Sequence, residues 1–174
     1  MYFRYKQTVK EENISGSFTP LDRLRSRTQN NYRFNAAYKV SNSFSLQSRV
    51  EFNVVQNENS SNDNGYVLFQ DLSYQPLSKP YSFSLRYGLF DTDSYDSRIY
   101  AFERDIPGVY AIPSYYYRGS RFYALARYNF VRGVSFWIRY GRTYYSNQKD
   151  VGSGLDIIDA NHKSDLKVQL KLNF

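Results

Sequence analysis

The chain has 174 residues, a net charge of +7 and no cysteine, which excludes disulfides and thiolate metal sites. It contains no run of about 18 apolar residues, which excludes a transmembrane helix. Aromatic residues make up 19% of the sequence and most of them are Tyr, whose apolar body and polar tip suit an interface between oil and water. The positive charge indicates anionic partners or anionic surroundings.

Polar and apolar side chains alternate along most of the sequence. The pattern is clearest in YRFNAAYKV at 32–40, FSLQSRVEFNV at 44–54 and KSDLKVQLKLNF at 163–174. Such alternation predicts β-strands with one apolar and one polar face. We predict ten strands, near 2–10, 22–40, 44–56, 66–76, 81–90, 98–105, 109–117, 121–130, 134–145 and 163–174.

The connections between these strands are alternately tight and long, which predicts an up-and-down antiparallel order. Tight breaks fall at Ser41–Ser43, Leu77–Pro80, Ile106–Gly108 and Val131–Gly133. Longer polar breaks fall at Glu11–Pro20, Asn57–Gly65, Asp91–Ser97 and Ser146–Asn161. A tight break at Arg118–Ser120 is the exception to the length rule. The strand at 109–117 is the weakest of the ten, because Pro113 cannot donate to a ladder.

The two faces of the predicted sheet differ in a way that favours a membrane barrel. The polar face carries many bulky charges, and the apolar face is rich in Tyr and Phe near the strand ends, as expected for aromatic belts at two membrane interfaces. We therefore predict an all-β, antiparallel up-and-down transmembrane β-barrel of about ten strands, or the C-terminal part of a larger barrel. It forms a single domain over residues 1–174. A soluble ligand-binding β-barrel, with its apolar face inward, is an alternative.

The last strand has the form of the C-terminal signal by which outer-membrane barrels are recognised for insertion. Its outward positions are Leu166, Val168, Leu170, Leu172 and Phe174. This predicts the outer membrane of a Gram-negative bacterium, with tight turns on the periplasmic side and long connections outside. The expected partners are outer-membrane lipids and lipopolysaccharide, the barrel assembly machinery during insertion, and other outer-membrane chains.

Two segments of the sequence resemble a known family. FWIRYGRTYYSN with GSGLDIIDANHKSDLKVQLKLNF, and RIYAFERDIPGVYAIPSYYYRGSRFY before it, resemble the C-terminal β-barrel region of Bacteroidota helix-hairpin-helix domain-containing outer-membrane proteins. The resemblance covers residues 98–174 and implies an outer-membrane barrel. It implies no mechanism, and no helix-hairpin-helix module occurs in this sequence, so we expect no nucleic acid partner.

A basic lumen is the strongest functional feature of the sequence. Eight cations share the polar parity of the strands: Arg23, Arg25, Arg27, Arg33, Lys39, Arg49, Arg139 and Lys167. One interpretation is a structural or pore-forming subunit whose lumen favours anions. The other is that these cations form salt bridges inside the lumen with Glu51, Asp71, Glu103 and Asp165, or pack against a plug.

Catalysis has only one weak pair of candidates. His162 and Ser164 lie two residues apart, so on a strand they share a face, as in small barrel enzymes that act on lipid A or peptides. A nucleophile also needs a third group that orients its base, and the sequence identifies none. We therefore expect no enzyme, and a small outer-membrane barrel enzyme acting on lipid A or peptides is the alternative. We also expect no metal site and no cofactor.

Overall fold

A computed structural model describes residues 1–13, 24–57, 61–152 and 154–173 of the chain. Two predicted site residues, Arg23 and Phe174, lie outside the described residues, and so does the side chain of Arg25. Within the described ranges, no helix is long and apolar enough to cross a membrane. A single turn of 3-10 helix forms at Gly154–Asp156.

The described residues form ten strands. Eight of them are long and make one sheet, the main sheet, while β6 and β7 are two residues each and pair only with one another. The strands are β1 Tyr2–Asn13, β2 Leu24–Lys39, β3 Phe44–Asn57, β4 Asp63–Tyr74, β5 Tyr81–Thr92, β6 Ile99–Tyr100, β7 Ser114–Tyr115, β8 Arg118–Val131, β9 Val134–Tyr145 and β10 His162–Leu172.

The main sheet is antiparallel and up-and-down, in the order β1-β2-β3-β4-β5-β8-β9-β10, so the predicted all-β, antiparallel up-and-down fold is confirmed. The tight turns at 41–43, 77–80 and 131–133 join β2 to β3, β4 to β5 and β8 to β9. Among the described residues β1 pairs only with β2, and β10 only with β9, so the sheet is not closed.

The predicted strands at 98–105 and 109–117 are wrong as members of the main sheet. Residues 93–117, which we call the inner connection, run from the end of β5 to the start of β8. In the main sheet β5 pairs directly with β8. The predicted turn at Ile106–Gly108 does form, with Val109 N–H donating to the Ile106 carbonyl at 3.2 Å. It joins two extended arms that lie off the main sheet. The two predicted strands and the turn between them thus act as one long connection from β5 to β8. The alternation of tight and long connections along the main sheet is therefore unchanged.

The predicted break at Arg118–Ser120 is also wrong, because these residues begin β8. Gly119 lies there against the backbone carbonyl of Tyr144 on the neighbouring strand, so close that a Cβ would collide with it. The glycine thus reflects close approach of two backbones within the sheet and does not mark a turn.

The main sheet has two faces of opposite character. The inner face, which the inner connection covers in part, carries the buried side chains, including the core of Val67, Phe69, Phe90 and Tyr145. The outer face exposes aliphatic and aromatic side chains on all eight strands of the described sheet. Leu166 and Leu170 are 64% and 58% exposed, whereas Arg139 on the same sheet is 1% exposed. The predicted assignment of apolar residues to the outside is confirmed.

Candidate functional site on the inner face

The first ion pairs of the inner face join neighbouring strands. Arg33 on β2 lies directly opposite Glu51 on β3, and its Nε donates to the Glu51 carboxylate at 2.6 Å. Arg86 on β5 is likewise opposite Asp71 on β4, with N–O distances of 2.5 and 2.7 Å in a bidentate pair. Bidentate pairing fixes the geometry of a guanidinium as well as neutralising it. These pairs therefore fasten together strands that are already adjacent.

A second group of ion pairs is centred on Glu103, which the inner connection carries and which is 0% exposed. Arg121 of β8 donates to both oxygens of this carboxylate, at 2.6 and 2.8 Å. Arg139 of β9 donates to it at 2.5 Å and also contacts Asp165 of β10 at 2.5 Å. A buried carboxylate is tolerated only when it is paired and hydrogen-bonded, and Glu103 meets both conditions.

Tyr115, on the second arm of the inner connection, completes the environment of Glu103. Its hydroxyl donates to Glu103 Oε1 at 2.9 Å. Burial, together with the nearby Glu103 carboxylate, raises the pKa of the Tyr115 phenol, so this side chain remains a donor. The Glu103 cluster, as we call Glu103, Tyr115, Arg121, Arg139 and Asp165, joins both arms of the inner connection to three strands of the main sheet.

Further contacts hold the turn of the inner connection against the inner face. Asp105 binds Lys167 of β10 at 2.5 Å. Arg86 donates to the Phe102 carbonyl at 2.8 Å, and Arg139 donates to the Arg104 carbonyl at 3.2 Å. These donors satisfy backbone carbonyls that are part of no ladder in the main sheet. The connection is therefore tied down by its backbone as well as by its side chains.

Apolar contacts hold the other end of the inner connection. Ile99 and Ala101 are buried with Val67, and the ring of Tyr115 packs edge-on against Phe90 at a centroid distance of 5.5 Å. Aromatic pairs in this geometry stabilise beyond their buried area, by about 0.5–1.5 kcal/mol. The inner connection thus has an apolar end near the long connections and a charged end near the middle of the sheet.

The predicted basic residues fall into three groups. Arg33, Arg139 and Lys167 pair with carboxylates as described, and Arg27 contacts Asp96 of the inner connection at 3.5 Å. Arg49 lies over the Phe69 ring at 5.0 Å and has no carboxylate partner among the described side chains. Lys39 is exposed. It lines a cavity of about 680 Å³ at the tight-turn end, together with Lys79, Arg104 and Arg127.

Two residues of the inner-face ion pairs were not predicted from the sequence. Arg121 and Asp105 belong to the ion pairs of the inner connection, and neither was singled out. The position of Arg121 on the inner face could have been predicted from the sequence, because Arg121 and Arg127 lie on the same polar face of the predicted strand 121–130. The position of Asp105 could not, because nothing in the sequence indicates that its segment crosses the inner face.

The candidate catalytic pair does not form a catalytic arrangement. His162 lies on the outer parity of β10, and its ring Nδ1 is 3.4 Å from the Asn161 side chain. Ser164 accepts a hydrogen bond from Tyr140 at 3.2 Å. In the described part of the chain, no contact joins His162 to Ser164 or to an orienting carboxylate. Nor do its side chains include a group of three or more His, Asp and Glu that could hold a metal ion.

The outer face has a banded composition. Tyr5, Tyr32, Phe52 and Tyr66 are directly opposite one another across β1 to β4 and form an aromatic row towards the long connections. Phe44, Tyr74 and Phe83 form a second row near the tight turns, as do Tyr81, Tyr128 and Phe136 further along the sheet. Between the rows the outward positions are mainly aliphatic, with Ser48, Gln70 and Tyr87 opposite one another midway between the rows. The aliphatic positions include Leu46, Val50, Leu68, Leu72, Leu85 and Leu89.

The four described residues of the predicted insertion signal continue the outer face. Leu166, Val168, Leu170 and Leu172 of β10 are each more than half exposed.

Comparison with known proteins identifies no relative: no protein-family model, no curated protein and no solved structure matches this chain.

Proposed function

We propose that this chain forms part of the wall of a transmembrane β-barrel in the outer membrane of a Gram-negative bacterium. In this role the outer face meets lipid, and the inner face, with the inner connection against it, forms the lumen side. The chain acts as a structural subunit of an outer-membrane assembly and not as an open anion pore or an enzyme.

The observation that carries this proposal is the aliphatic band between two aromatic rows on the outer face. On β3 the rows are eight residues apart, from Phe44 to Phe52, which is about 26 Å along a strand. This is the scale of the apolar band of an outer-membrane barrel, about 25 Å, although strand tilt reduces the height it covers. In water the same surface would be a large exposed apolar patch, which soluble monomers rarely carry.

The inner face supports the structural role over the open pore. A lumen that selects anions needs cations that are free to meet them. Arg33, Arg121, Arg139 and Lys167 are each within 2.6 Å of a carboxylate oxygen, so their charge is already compensated. The inner-face cations without such a partner among the described side chains include Arg49 and the exposed basic residues of the two edge strands. The Glu103 cluster also fills the space in front of β8 and β9.

Fractionation after export to the bacterial envelope tests the membrane assignment. We expect the chain in the outer-membrane pellet after an alkaline carbonate wash. Leu85→Arg, on the aliphatic band, should reduce the membrane-integrated fraction, because Arg facing lipid costs about 2–4 kcal/mol near the bilayer midplane. Ser82→Glu, on the inner face of the same strand and directly opposite Arg127, is the control with a charged residue on the other face and should be tolerated. Recovery of a stable, detergent-free soluble chain would support the ligand-binding barrel instead.

Thiol labelling tests whether the inner connection fills the lumen side, because the chain has no native cysteine. Ala101→Cys replaces a residue that is 1% exposed, and Tyr110→Cys replaces one on the same connection that is 77% exposed. In the membrane-embedded chain we expect a hydrophilic maleimide to label the first roughly a hundred times more slowly than the second. Equal rates would mean that the connection is not packed against the sheet.

A further inference from the structure

The two edges of the main sheet are free within the described residues. β1 spans Tyr2–Asn13 and pairs on one side only, with β2, while β10 spans His162–Leu172 and pairs only with β9. Each edge thus presents a row of unpaired N–H and C=O groups. In a lipid environment such groups must all be hydrogen-bonded, so a membrane wall cannot end on these strands.

Pairing of β1 with β10 in the same chain would give an eight-stranded barrel, which is too narrow for the contents of the inner face. The interior of an eight-stranded barrel is just filled by its own side chains. Here the inner face already carries large buried side chains such as Tyr123, Trp137 and Arg139. It must in addition accommodate the inner connection, with Glu103 and Tyr115 fully enclosed. A wider wall, and hence more strands, is required.

The inner-face charges of the two edges indicate what those strands carry. Arg4, Lys6 and Lys10 project from the inner face of β1, all three exposed and without a carboxylate partner among the described side chains. Lys163 and Lys171 project from the inner face of β10 and are also exposed. The one acid of that row, Asp165, is already bound to Arg139. A second copy of the chain would place cations opposite cations, which destabilises cross-strand pairs.

We propose that the edges of β1 and β10 are bound by partner strands, which span the membrane antiparallel to them and carry Asp or Glu at their lumen-facing positions. These partner strands complete the wall and neutralise Arg4, Lys6, Lys10, Lys163 and Lys171 by cross-strand pairing. This inference rests on the proposed membrane function and adds to it the chemistry of the strands that complete the wall.

Two single-cysteine variants of the full chain in lipid vesicles test the proposal: Thr8→Cys on β1 and Gln169→Cys on β10. Both replace neutral inner-face residues. The probes are two synthetic twelve-residue peptides with the same alternating Leu and Tyr on one parity, a central cysteine, and either Glu or Lys on the other parity. We expect disulfide formation with the Glu peptide to exceed that with the Lys peptide roughly tenfold at both edges, because several cross-strand charge pairs change sign.

A second variant checks that the preference comes from the edge charges. Reversing Arg4, Lys6 and Lys10 to Glu in the Thr8→Cys chain should invert the preference at β1 and leave the preference of Gln169→Cys chains unchanged. Should the reversed chain not fold, the comparison of the two peptides on the original charges still decides.

A further variant, which carries both Thr8→Cys and Gln169→Cys, reports whether the two edges meet within one chain. Four outcomes would overturn the proposal. They are equal capture of both peptides, a disulfide within one chain of the double variant, a dominant disulfide between two copies, and no entry of the chain into vesicles. The last outcome would overturn the proposed membrane function as well. The first three, in a chain that does enter vesicles, would leave that function standing.

Discussion

Two regions of the inner face neutralise charge in different ways. Between β2 and β3, Arg33 is paired with Glu51, its direct cross-strand neighbour. On β8 and β9, Arg121 and Arg139 are paired with Glu103, which comes from outside the main sheet. The first kind of pair follows from strand register, and the second depends on where a long connection lies. An excess of basic residues on a predicted lumen face therefore does not by itself indicate a pore.

The largest effect is expected from Glu103→Ala, which removes the acid that the inner connection supplies. Arg121 and Arg139 would then lose their buried partner, and breaking such a pair from one side costs about 3–5 kcal/mol in the free energy of unfolding. Urea unfolding of the chain in detergent, followed by circular dichroism, measures the loss. Asp156→Ala, an exposed acid in the Ser146–Asn161 connection, is the control and should change stability by less than about 0.5 kcal/mol.

A smaller effect is expected from Gly141→Ala, which disturbs the same cluster through the backbone. A Cβ at this position would lie 2.7 Å from Asp165 Oδ1 and 3.0 Å from the Arg139 guanidinium. We expect a loss of about 1–3 kcal/mol, the usual cost of overpacking. The same substitution in an Asp165→Ala background should cost less, because the nearest atom has been removed. An equal loss in both backgrounds would mean that crowding of the ion pair is not the cause.

The pair between neighbouring strands should show a coupling of intermediate size. In a double-mutant cycle with Arg33→Ala and Glu51→Ala, we expect an interaction free energy of about 1–2 kcal/mol. Arg33 and Glu51 already lie on adjacent paired strands, so their ion pair does not have to fix any further segment of the chain in place. If the Arg33–Glu51 coupling free energy exceeded the loss of unfolding free energy in Glu103→Ala, the pair between neighbouring strands would contribute more to stability than the Glu103 cluster.

Cations outside both regions should contribute little. Lys6→Ala on the exposed inner face of β1 should change the stability of the isolated chain by less than about 0.5 kcal/mol, as measured by the same urea unfolding. A loss as large as that of Glu103→Ala would show that the β1 cations have partners within this chain, and would remove the argument for acidic strands beside it.

The smallest effect is expected at the weak catalytic candidates, His162 and Ser164. His162→Ala and Ser164→Ala should leave lipid A acylation in the host outer membrane unchanged when the chain is expressed there, as judged by mass spectrometry of the extracted lipid. The reason is that neither residue has an orienting acid among its contacts. Altered acylation in the wild type that disappears in either variant would favour the enzyme.

The eight long strands were predictable because their alternation reports which face each side chain occupies. Arg33 and Lys167 on the inside and Leu166 and Leu170 on the outside follow from that parity alone. The inner connection was not predictable in the same way. Burial alternates along Ile99, Ala101 and Glu103 as it does in a wall strand. Period two reports an extended backbone, and it does not tell whether that backbone lies in a sheet or against its face.

The candidate site was predictable only in part, for a related reason. The acids Glu51, Asp71, Glu103 and Asp165 were all identified as partners for lumen cations, and each of them pairs with an Arg. The sequence could not assign Glu103 to Arg121 and Arg139, because that pairing spans 18 and 36 residues and depends on the course of the inner connection.

The inner connection also bears on the order in which the wall can assemble. β5 and β8 are adjacent in the main sheet, but the 25 residues of the connection separate them, so closing this gap costs about 3 kcal/mol of chain entropy. The Glu103 carboxylate reaches its two arginines only after β8 and β9 have formed beside β5. We therefore expect the hairpins on either side of the inner connection to form early. The pairing of β5 with β8 should be the slow step of folding, and the ion pairs of Glu103 should form last.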